Sequence, residues 1–397
     1  MISKKTVVIG VSGGIAVYKA LDVISRLKKE NVEVHVIMTK SAMEFVNPIS
    51  FQTMSQNMVI HDMFYEPKAL EIQHISLAKK ADLFVVVPAT ANVIGKVANG
   101  ISDDMLTTTI MATNAPVIFA PAMNVNMYNN KIVQGNIQKL KDYGYDFIAP
   151  TSGRLACGDI GEGKLAQTEE IFEIIMSELY PLKDMKGTKV LVTAGPTIAP
   201  IDPVRFITNR SSGKMGYAIA REARDRGAVV TLISGPCNER SPFGVNVIKI
   251  STNEEMRNAV FNNYEDSDIV IKSAAVADYK PKIYSYNKIK KSNNELCLDL
   301  VRDNDILNEL GTHKKRQILV GFAAESNDLL QNAKAKLIKK NLDYIVANDI
   351  TQKDSGFGTE DNKVFILSKE NNSPIGLDKM SKKQVARELF NLINKKR

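Results

Sequence analysis

Thr6-Val7-Val8-Ile9-Gly10-Val11-Ser12-Gly13-Gly14-Ile15-Ala16 reads as a short apolar strand emptying into a glycine-rich turn. Tyr18, Leu21, Ile24 and Leu27 follow at helical spacing, and 32–38 is a second apolar strand run. Strand, turn, helix and strand make one βαβ unit. Its turn sets backbone N–H groups and a helix N-terminus where a phosphate can sit. Gly10, Gly13 and Gly14 do not have the G-x-G-x-x-G spacing, so the turn suits a mononucleotide such as FMN better than a dinucleotide. Thr39, Lys40 and Ser41, at the end of the second strand, offer a further phosphate contact.

The alternation continues with a helix around 70–80, strand 83–87, a helix from Asn92, helix 104–112, strand 117–120, helix 131–143 and strand 146–149. Regular β/α alternation predicts a parallel sheet with helices on both faces and ligands at the carboxyl ends of its strands. Three polar stretches fall at or near those ends: His74 in Glu71-Ile72-Gln73-His74-Ile75, Pro88-Ala89-Thr90-Ala91-Asn92, and Pro121-Ala122-Met123-Asn124-Val125-Asn126-Met127. Next comes 153–164, which holds Gly153, Gly158, Gly161 and Gly163 around Cys157. A segment so rich in glycine loses too much backbone entropy to hold a helix or strand. It reads as a mobile flap carrying a thiol over a site, or as a surface loop with Cys157 as a small filler.

A chain of 397 residues predicts two domains. Three cysteines without C-x-x-C spacing argue against a disulfide scaffold or a zinc ribbon and fit a reducing cytosol. The apolar run after the basic start is too short for a signal peptide, and no apolar run is long enough to span a bilayer. A cytoplasmic protein without membrane attachment is expected. The net charge of +8 suits phosphorylated substrates and nucleotides. With no basic run interleaved with aromatics, no nucleic-acid partner is expected.

A helix over 168–179 closes the first half, and Tyr180-Pro181-Leu182-Lys183-Asp184-Met185-Lys186-Gly187 breaks periodicity as a linker. The expected division is 1–180, a linker at 181–187, and 188–397. A new strand begins at Lys189, and Ser211-Ser212-Gly213-Lys214-Met215-Gly216 opens a helix. Further strands are expected at 228–234, 268–273, 317–322 and 343–348, a second doubly wound pattern. Ser-Ser-Gly-Lys lacks the upstream Gly and following Ser/Thr of a P-loop, which argues against a Walker-type site but leaves a phosphate nest at the helix N-terminus. Four polar clusters belong at the same rim: Ser273-Ala274-Ala275-Val276-Ala277-Asp278, Lys288-Ile289-Lys290-Lys291, Asn304-Asp305-Ile306-Leu307 and Gly321-Phe322-Ala323-Ala324-Glu325. Lys336 and Lys340 lie one helical turn apart and can point the same way.

Residues 6 to about 170 resemble the FMN-dependent cysteine decarboxylases, a flavodoxin-like flavoprotein family. The shared motifs are Gly-x-Ser-Gly-Gly-Ile-Ala, His74, Pro-Ala-Thr-Ala-Asn, Pro-Ala-Met-Asn-x-x-Met and Ala-Cys-Gly-Asp-x-Gly-x-Gly. The resemblance implies that His74 and Asn124 act in the site and that Cys157 is a proton donor. It implies FMN bound by Gly10, Ser12, Gly13, Gly14, Thr39, Ser41, Pro88, Ala89, Thr90, Ala91, Asn92 and Met123. Flavin oxidation of a cysteinyl thiol to a thioaldehyde creates the electron sink that loss of CO₂ requires. Val93 and Lys164 depart from the family's common Thr and Arg; Lys164 keeps the charge without the bidentate fork.

Residues 188 to about 395 resemble the bacterial phosphopantothenate–cysteine ligases, through Asp-Pro-Val-Arg-Phe-Ile-Thr-Asn-x-Ser-Ser-Gly-Lys-Met-Gly, Ala-Ala-Val-Ala-Asp-Tyr, Lys-Ile-Lys-Lys and Gly-Phe-Ala-Ala-Glu. By that resemblance CTP is met by Ser273, Ala274, Ala275, Asp278, Lys288, Asn304, Asp305, Ile306, Leu307, Phe322, Lys336 and Lys340, with Mg²⁺ or Mn²⁺. Asn209 would hold an acyl-nucleotide intermediate. Together the halves resemble the bacterial bifunctional enzymes of coenzyme A biosynthesis, which use 4′-phosphopantothenate, L-cysteine and CTP and assemble as trimer-based dodecamers with FMN at a subunit interface. Two alternatives stay open: a flavin prenyltransferase-like first half beside an unrelated nucleotide-binding half, and a regulatory FMN-binding protein.

Overall fold

In the computed structural model, β1 (Thr6–Val11), β2 (Glu33–Met38), β3 (Val59–Ile60), β4 (Leu83–Ala89), β5 (Val117–Pro121) and β6 (Asp146–Phe147) form one parallel sheet in the order 3-2-1-4-5-6. Residues 5–64, 72–154, 158–291, 296–325, 327–349, 359–371 and 373–395 are described. They fall into two compact units, Met1–Leu179 and Tyr180–Arg397. The order of the first sheet differs from the 2-1-3-4-5 of flavodoxin itself, but both obey the same rule: a ligand binds where the order reverses. In this sheet the reversal lies between β1 and β4.

The helices of this unit are α1 (Val17–Lys29), α2 (Lys40–Met43), α3 (Pro48–Ser55), α4 (Gln73–Lys80), α5 (Ala91–Ala98), α6 (Met105–Ala112), α7 (Val125–Tyr128), α8 (Lys131–Asp142) and α9 (Thr168–Glu178). Successive residues of β1 face opposite sides, so each side has its own core. Val7, Ile9 and Val11 pack with Ile24, Leu27, Ile171 and Ile175 of α1 and α9. Val8 packs with Phe84, Ile94 and Leu106. Gly10 is glycine because a Cβ there would stand 2.4 Å from Leu106. The strand expected to end at 87 continues through Pro88 and Ala89, both buried.

The glycine-rich 153–164 segment departs from expectation. Its ends form an antiparallel hairpin, β7 (Thr151–Arg154) with β8 (Ile160–Lys164). The entropic cost of glycine is real, but these glycines admit a close approach. A Cβ on Gly161 would lie 2.5 Å from Val125, and one on Gly163 would lie 2.4 Å from the Met123 carbonyl.

The second unit continues with β9 (Lys189–Ala194), β10 (Ile198–Pro200), β11 (Phe206–Thr208), β12 (Val229–Ser234), β13 (Asn246–Lys249), β14 (Ile269–Lys272), β15 (Tyr279–Pro281) and β16 (Leu300–Arg302). β17 (Ile318–Glu325), β18 (Tyr344–Asp349), β19 (Asp361–Ser368) and β20 (Ile375–Ser381) complete its strands. Its helices are α10 (Lys214–Asp225), α11 (Asn253–Tyr264), α12 (Ile306–Thr312), α13 (Leu329–Lys339) and α14 (Lys382–Asn394). The main sheet runs β13-β12-β9-β14-β17-β18-β19-β20, parallel as far as β18 and antiparallel through β19 and β20. The antiparallel pair was not expected, because β20 is mostly exposed and shows no apolar alternation. Again the order reverses beside the first strand, between β9 and β14.

Residues 180–187 pack into this unit. Met185 is fully buried, and the Tyr180 hydroxyl donates to Glu222 at 2.5 Å. Glu222 also accepts from the buried Arg226 guanidinium at 2.8 Å, and Arg226 reaches Asn391 of α14 at 2.5 Å.

Candidate active sites at the two reversal points

Ser12, the first residue beyond β1, is 1% exposed. Its hydroxyl donates to the Pro88 carbonyl at 2.7 Å and accepts the Thr90 N–H at 3.0 Å. The two strand exits are thereby locked together. Gly13 lies so close to Ser41 that a Cβ would meet it at 2.4 Å, and Thr39 caps α2 by accepting the Ala42 N–H at 3.2 Å. Ser12, Gly13, Gly14, Thr39, Ser41, Thr90, Ala91, Asn92, Met123 and Asn124 all line one cleft of about 1040 Å³. Gly10, Pro88 and Ala89 do not line it; they shape the strands beneath.

Asn124 caps α7, with its Oδ1 accepting the Asn126 N–H at 2.8 Å, and its Nδ2 donates to Asp159 at 2.8 Å. The Met123 N–H donates to the Gly163 carbonyl at 2.9 Å. The hairpin is therefore stitched to the loop that follows β5, and Arg154, Gly163 and Lys164 line the cleft with it. Cys157 lies outside the described residues. His74 is half-buried on α4 and is not among the residues lining the cleft.

Charge at this cleft was only partly legible in the sequence. Lys19 and Arg154 join Lys40 and Lys164 in its lining. Burial, and then the neighbouring Lys164, lower the Lys19 pKa. Asp62, Asp103 and Asp104 line the cleft as well, and the last two pair with Lys96 at 2.7 and 3.2 Å.

In the second unit threonines do what Ser12 does in the first. Thr193 Oγ1, fully buried, accepts the Ala274 N–H at 3.1 Å, and Thr197 Oγ1 accepts that of Ala277 at 2.9 Å. The Ala275 N–H donates to the Gly195 carbonyl at 3.0 Å. This fixes Ser273-Ala274-Ala275 at the reversal point. Asn209 is brought to the same place, its Nδ2 donating to the carbonyls of Ala275 (3.2 Å) and Val276 (2.9 Å). The Asp303 N–H donates to the Asp278 carbonyl at 2.9 Å, so the Asp278 loop and the 304–307 stretch are held side by side.

Asp305 caps α12, accepting the Asn308 N–H at 3.1 Å, and is paired with Lys340 at 2.8 Å. Lys336 pairs with Glu325 at 2.5 Å. The two lysines expected to point the same way are thus held by different carboxylates. Phe322 is half-buried in β17 against the apolar core. Ile306 is buried, Leu307 is packed against the other core, and Lys288 is exposed.

One residue that the sequence did not single out governs the Lys288 loop. The Asp202 carboxylate has no exposed side-chain surface. It accepts the N–H groups of Val204 (2.8 Å), Arg205 (2.7 Å) and Ile289 (3.1 Å), and the Arg205 guanidinium at 2.6 Å. Arg205 also donates to the Ile289 carbonyl at 3.0 Å. Burial raises the Asp202 pKa, but the three backbone donors and Arg205 outweigh it and hold the group down at about 2. Asp-Pro-Val-Arg was visible as a motif. Its tie to a residue 87 positions away was not.

Among the described residues no three His, Cys, Asp or Glu side chains gather to hold a metal, and no helix is long and apolar enough to cross a membrane. Residues 1–180 match the family described as Flavoprotein, and 185–396 match the DNA/pantothenate metabolism flavoprotein C-terminal domain. The chain is 49% identical over 393 residues to the coenzyme A biosynthesis bifunctional protein CoaBC of Bacillus subtilis, covering 98% of this chain and 97% of that one. It is 45% identical to the Borreliella burgdorferi protein of the same name, with 99% and 100% covered. For the Escherichia coli protein the figures are 40% identity, with 94% and 93% covered. The chain belongs to the CoaBC family of bifunctional coenzyme A biosynthesis proteins.

Proposed function

We propose that this chain carries out two successive steps of coenzyme A biosynthesis. The second unit ligates cysteine to 4′-phosphopantothenate at the expense of CTP, and the first unit decarboxylates the resulting 4′-phosphopantothenoylcysteine to 4′-phosphopantetheine. The observation that carries the reading is family membership over nearly the full chain, which makes it a bifunctional enzyme, decarboxylase and ligase. The Flavoprotein match covers the unit that holds the cleft, which supports the division of labour.

FMN fits this cleft: glycine and hydroxyl groups form its floor, and lysines stand at its edge. When bound, FMN supplies the two-electron acceptor for the substrate thiol. Ser12, Gly13, Gly14, Thr39, Ser41, Thr90, Ala91, Asn92 and Met123 hold it, on strand ends shaped by Gly10, Pro88 and Ala89. Asn124 orients the substrate, and Cys157 returns a proton to carbon. His74, which stands off the cleft, fits a site completed between copies of the chain. The homo-oligomer, a trimer-based dodecamer, is what the resemblance implies.

In the ligase half the substrate carboxylate attacks the α-phosphate of CTP and pyrophosphate leaves; the cysteine amine then displaces CMP. Asn209 holds the acyl-cytidylate beside Ala275. Ser273, Ala274, Asp278, Phe322 and the backbone of Asn304, Asp305, Ile306 and Leu307 hold the nucleotide. Lys288, Lys336 and Lys340 neutralise its phosphates. Mg²⁺ or Mn²⁺ would arrive on the triphosphate. The reaction is placed in the cytoplasm.

The test is one incubation with 4′-phosphopantothenate, cysteine and Mg²⁺, with CTP in one tube and ATP in another, read by mass spectrometry. Phosphopantetheine in the CTP tube is expected. The cysteine conjugate accumulating alone would overturn the decarboxylase assignment, and no conjugate in either tube would overturn the ligase assignment.

A further inference from the structure

Asn253 is the first residue of α11 and is only 2% exposed. Its Nδ2 donates to the Asn304 carbonyl at 3.0 Å, across 51 positions of sequence. Its Oδ1 is buried and has no hydrogen-bond partner among the described residues. A buried amide costs stability for each group left unpaired. One end of this side chain is therefore a loss to the fold, and the other end holds a single carbonyl. Positions that break the local rules in this way are where function is to be sought.

The carbonyl belongs to the turn into α12. Within that turn the Asn304 N–H donates to the Asp303 carboxylate at 2.9 Å, and Asp305 accepts the Asn308 N–H at 3.1 Å. Both of those ties are local. The turn is tied to the rest of the site on one side by the Asp303 N–H on the Asp278 carbonyl, at 2.9 Å. Asn253 ties it on the other.

The start of α11 also meets the other segments of the site. Met256, three positions on and so beside Asn253 on the helix surface, is fully buried, and its sulfur accepts from the Lys272 ammonium at 3.3 Å. Lys272 directly precedes Ser273. The Ser251 carbonyl accepts the Ile198 N–H at 2.9 Å, one residue beyond the Thr197 that holds Ala277. The helix start is thus fixed to β10 and β14, and Asn253 carries that fixed position over to Asn304.

We propose that Asn253 is a positioning residue of the ligase half, which sets from α11 where the 304–307 backbone meets the nucleotide. It acts through the Asn304 carbonyl, and no covalent bond changes. The inference rests on the assignment of 304–307 to the nucleotide and adds the residue that aims this stretch. Without the amide, the turn keeps its local ties and its hold on Asp278 but shifts under the ligand. Nucleotide affinity falls, and the chemistry after binding does not.

The experiment is steady-state ligation by the full-length protein, with 4′-phosphopantothenate, cysteine, CTP and Mg²⁺, beside a thermal melt. Asn253→Leu keeps the branching and the number of side-chain heavy atoms while removing the donor and the unpaired Oδ1 together. Asn304 is exposed, so its carbonyl can turn to water. The variant is expected to melt at or above the wild type. Its KM for CTP should nonetheless rise about three- to tenfold, with kcat and the KM for cysteine unchanged. A role in stability alone predicts the reverse, a lower melting temperature with the KM unmoved. Asn253→Ala, which cannot overpack, decides by the same KM-against-kcat split if the leucine variant does not fold or melts early. An unchanged KM for CTP would overturn the proposal, as would a fall in kcat alongside the rise in KM. A wild type that forms no conjugate with CTP would overturn the nucleotide reading beneath it, and this inference with it.

Discussion

The two reversal points are built alike and charged differently. In each, a hydroxyl at the exit of the first strand pins the exit of the fourth: Ser12 holds Pro88 and Thr90, while Thr193 and Thr197 hold Ala274 and Ala277. The first site has a floor of glycine and hydroxyl groups, a lysine, Lys96, paired with Asp103 and Asp104 in its lining, and Lys164 pressing on Lys19. An anion entering it relieves repulsion. The second site keeps Lys336 and Lys340 occupied by Glu325 and Asp305, so an anion must displace a carboxylate. Both sites hold lysines paired with carboxylates, and the first adds the repelling pair of Lys19 and Lys164. Exchange makes affinity a difference of two interactions, which favours ligands of higher charge.

The largest effect that would sharpen this contrast is expected from Asn209→Ala. It would remove the contact proposed for Asn209 with the acyl-cytidylate, and amide formation should slow by about 10²–10³-fold while decarboxylation of supplied conjugate continues; parallel loss of both would break the assignment. Next is Gly163→Val, which places a side chain at φ +131° against the Met123 carbonyl. Strain of about 1–3 kcal/mol should undock the hairpin and cut decarboxylation by about 10- to 100-fold, with ligation unchanged in the same assay. Asp202→Asn ranks third. Losing the charge that collects three backbone N–H groups should raise the KM for CTP by about tenfold. The Asp202 carboxyl is held at about 2, below its ordinary 3.8. Its contribution to stability is complete above 3.8 and is lost as pH falls towards 2. Acid unfolding of Asp202→Asn should therefore have a shallower limb in that window. Smallest is Glu325→Gln, which frees Lys336 and should lower the KM for CTP by about two- to fivefold; an increase would count against exchange.

The sheets were legible because β1, β4, β9 and β14 are short apolar runs that end at glycine or small polar residues. The same local reading failed at 153–164, where glycine admits a neighbour that only the fold brings close. It failed at β20, whose exposed residues carry no periodic signal. At the candidate sites, strand-end motifs located Ser12–Ala16, Thr39–Ser41, Thr90–Asn92 and Ala122–Asn124 in the lining of the first cleft but missed 61–64 and 103–106, and His74 on α4 is not among the lining residues. Asp202 and Lys272 escaped notice for a common reason. Their partners, Ile289 and Met256, stand 87 and 16 positions away, so Asp202 was visible only as the start of the Asp-Pro-Val-Arg motif and not as the group that holds Ile289.

The packing of Tyr180 and Met185 against the second unit bears on gene architecture. Fully buried Arg226 divides itself among Glu222, Asn391 and Asp184, and Tyr180 closes on Glu222. The seam of this fusion thus has a single owner. A fission event just before Tyr180 would hand each descendant gene a product with its own core. A break after Gly187 would take Met185 out of that core and strip the Glu222–Arg226 pair of two partners, a loss the shortened product would have to repair elsewhere.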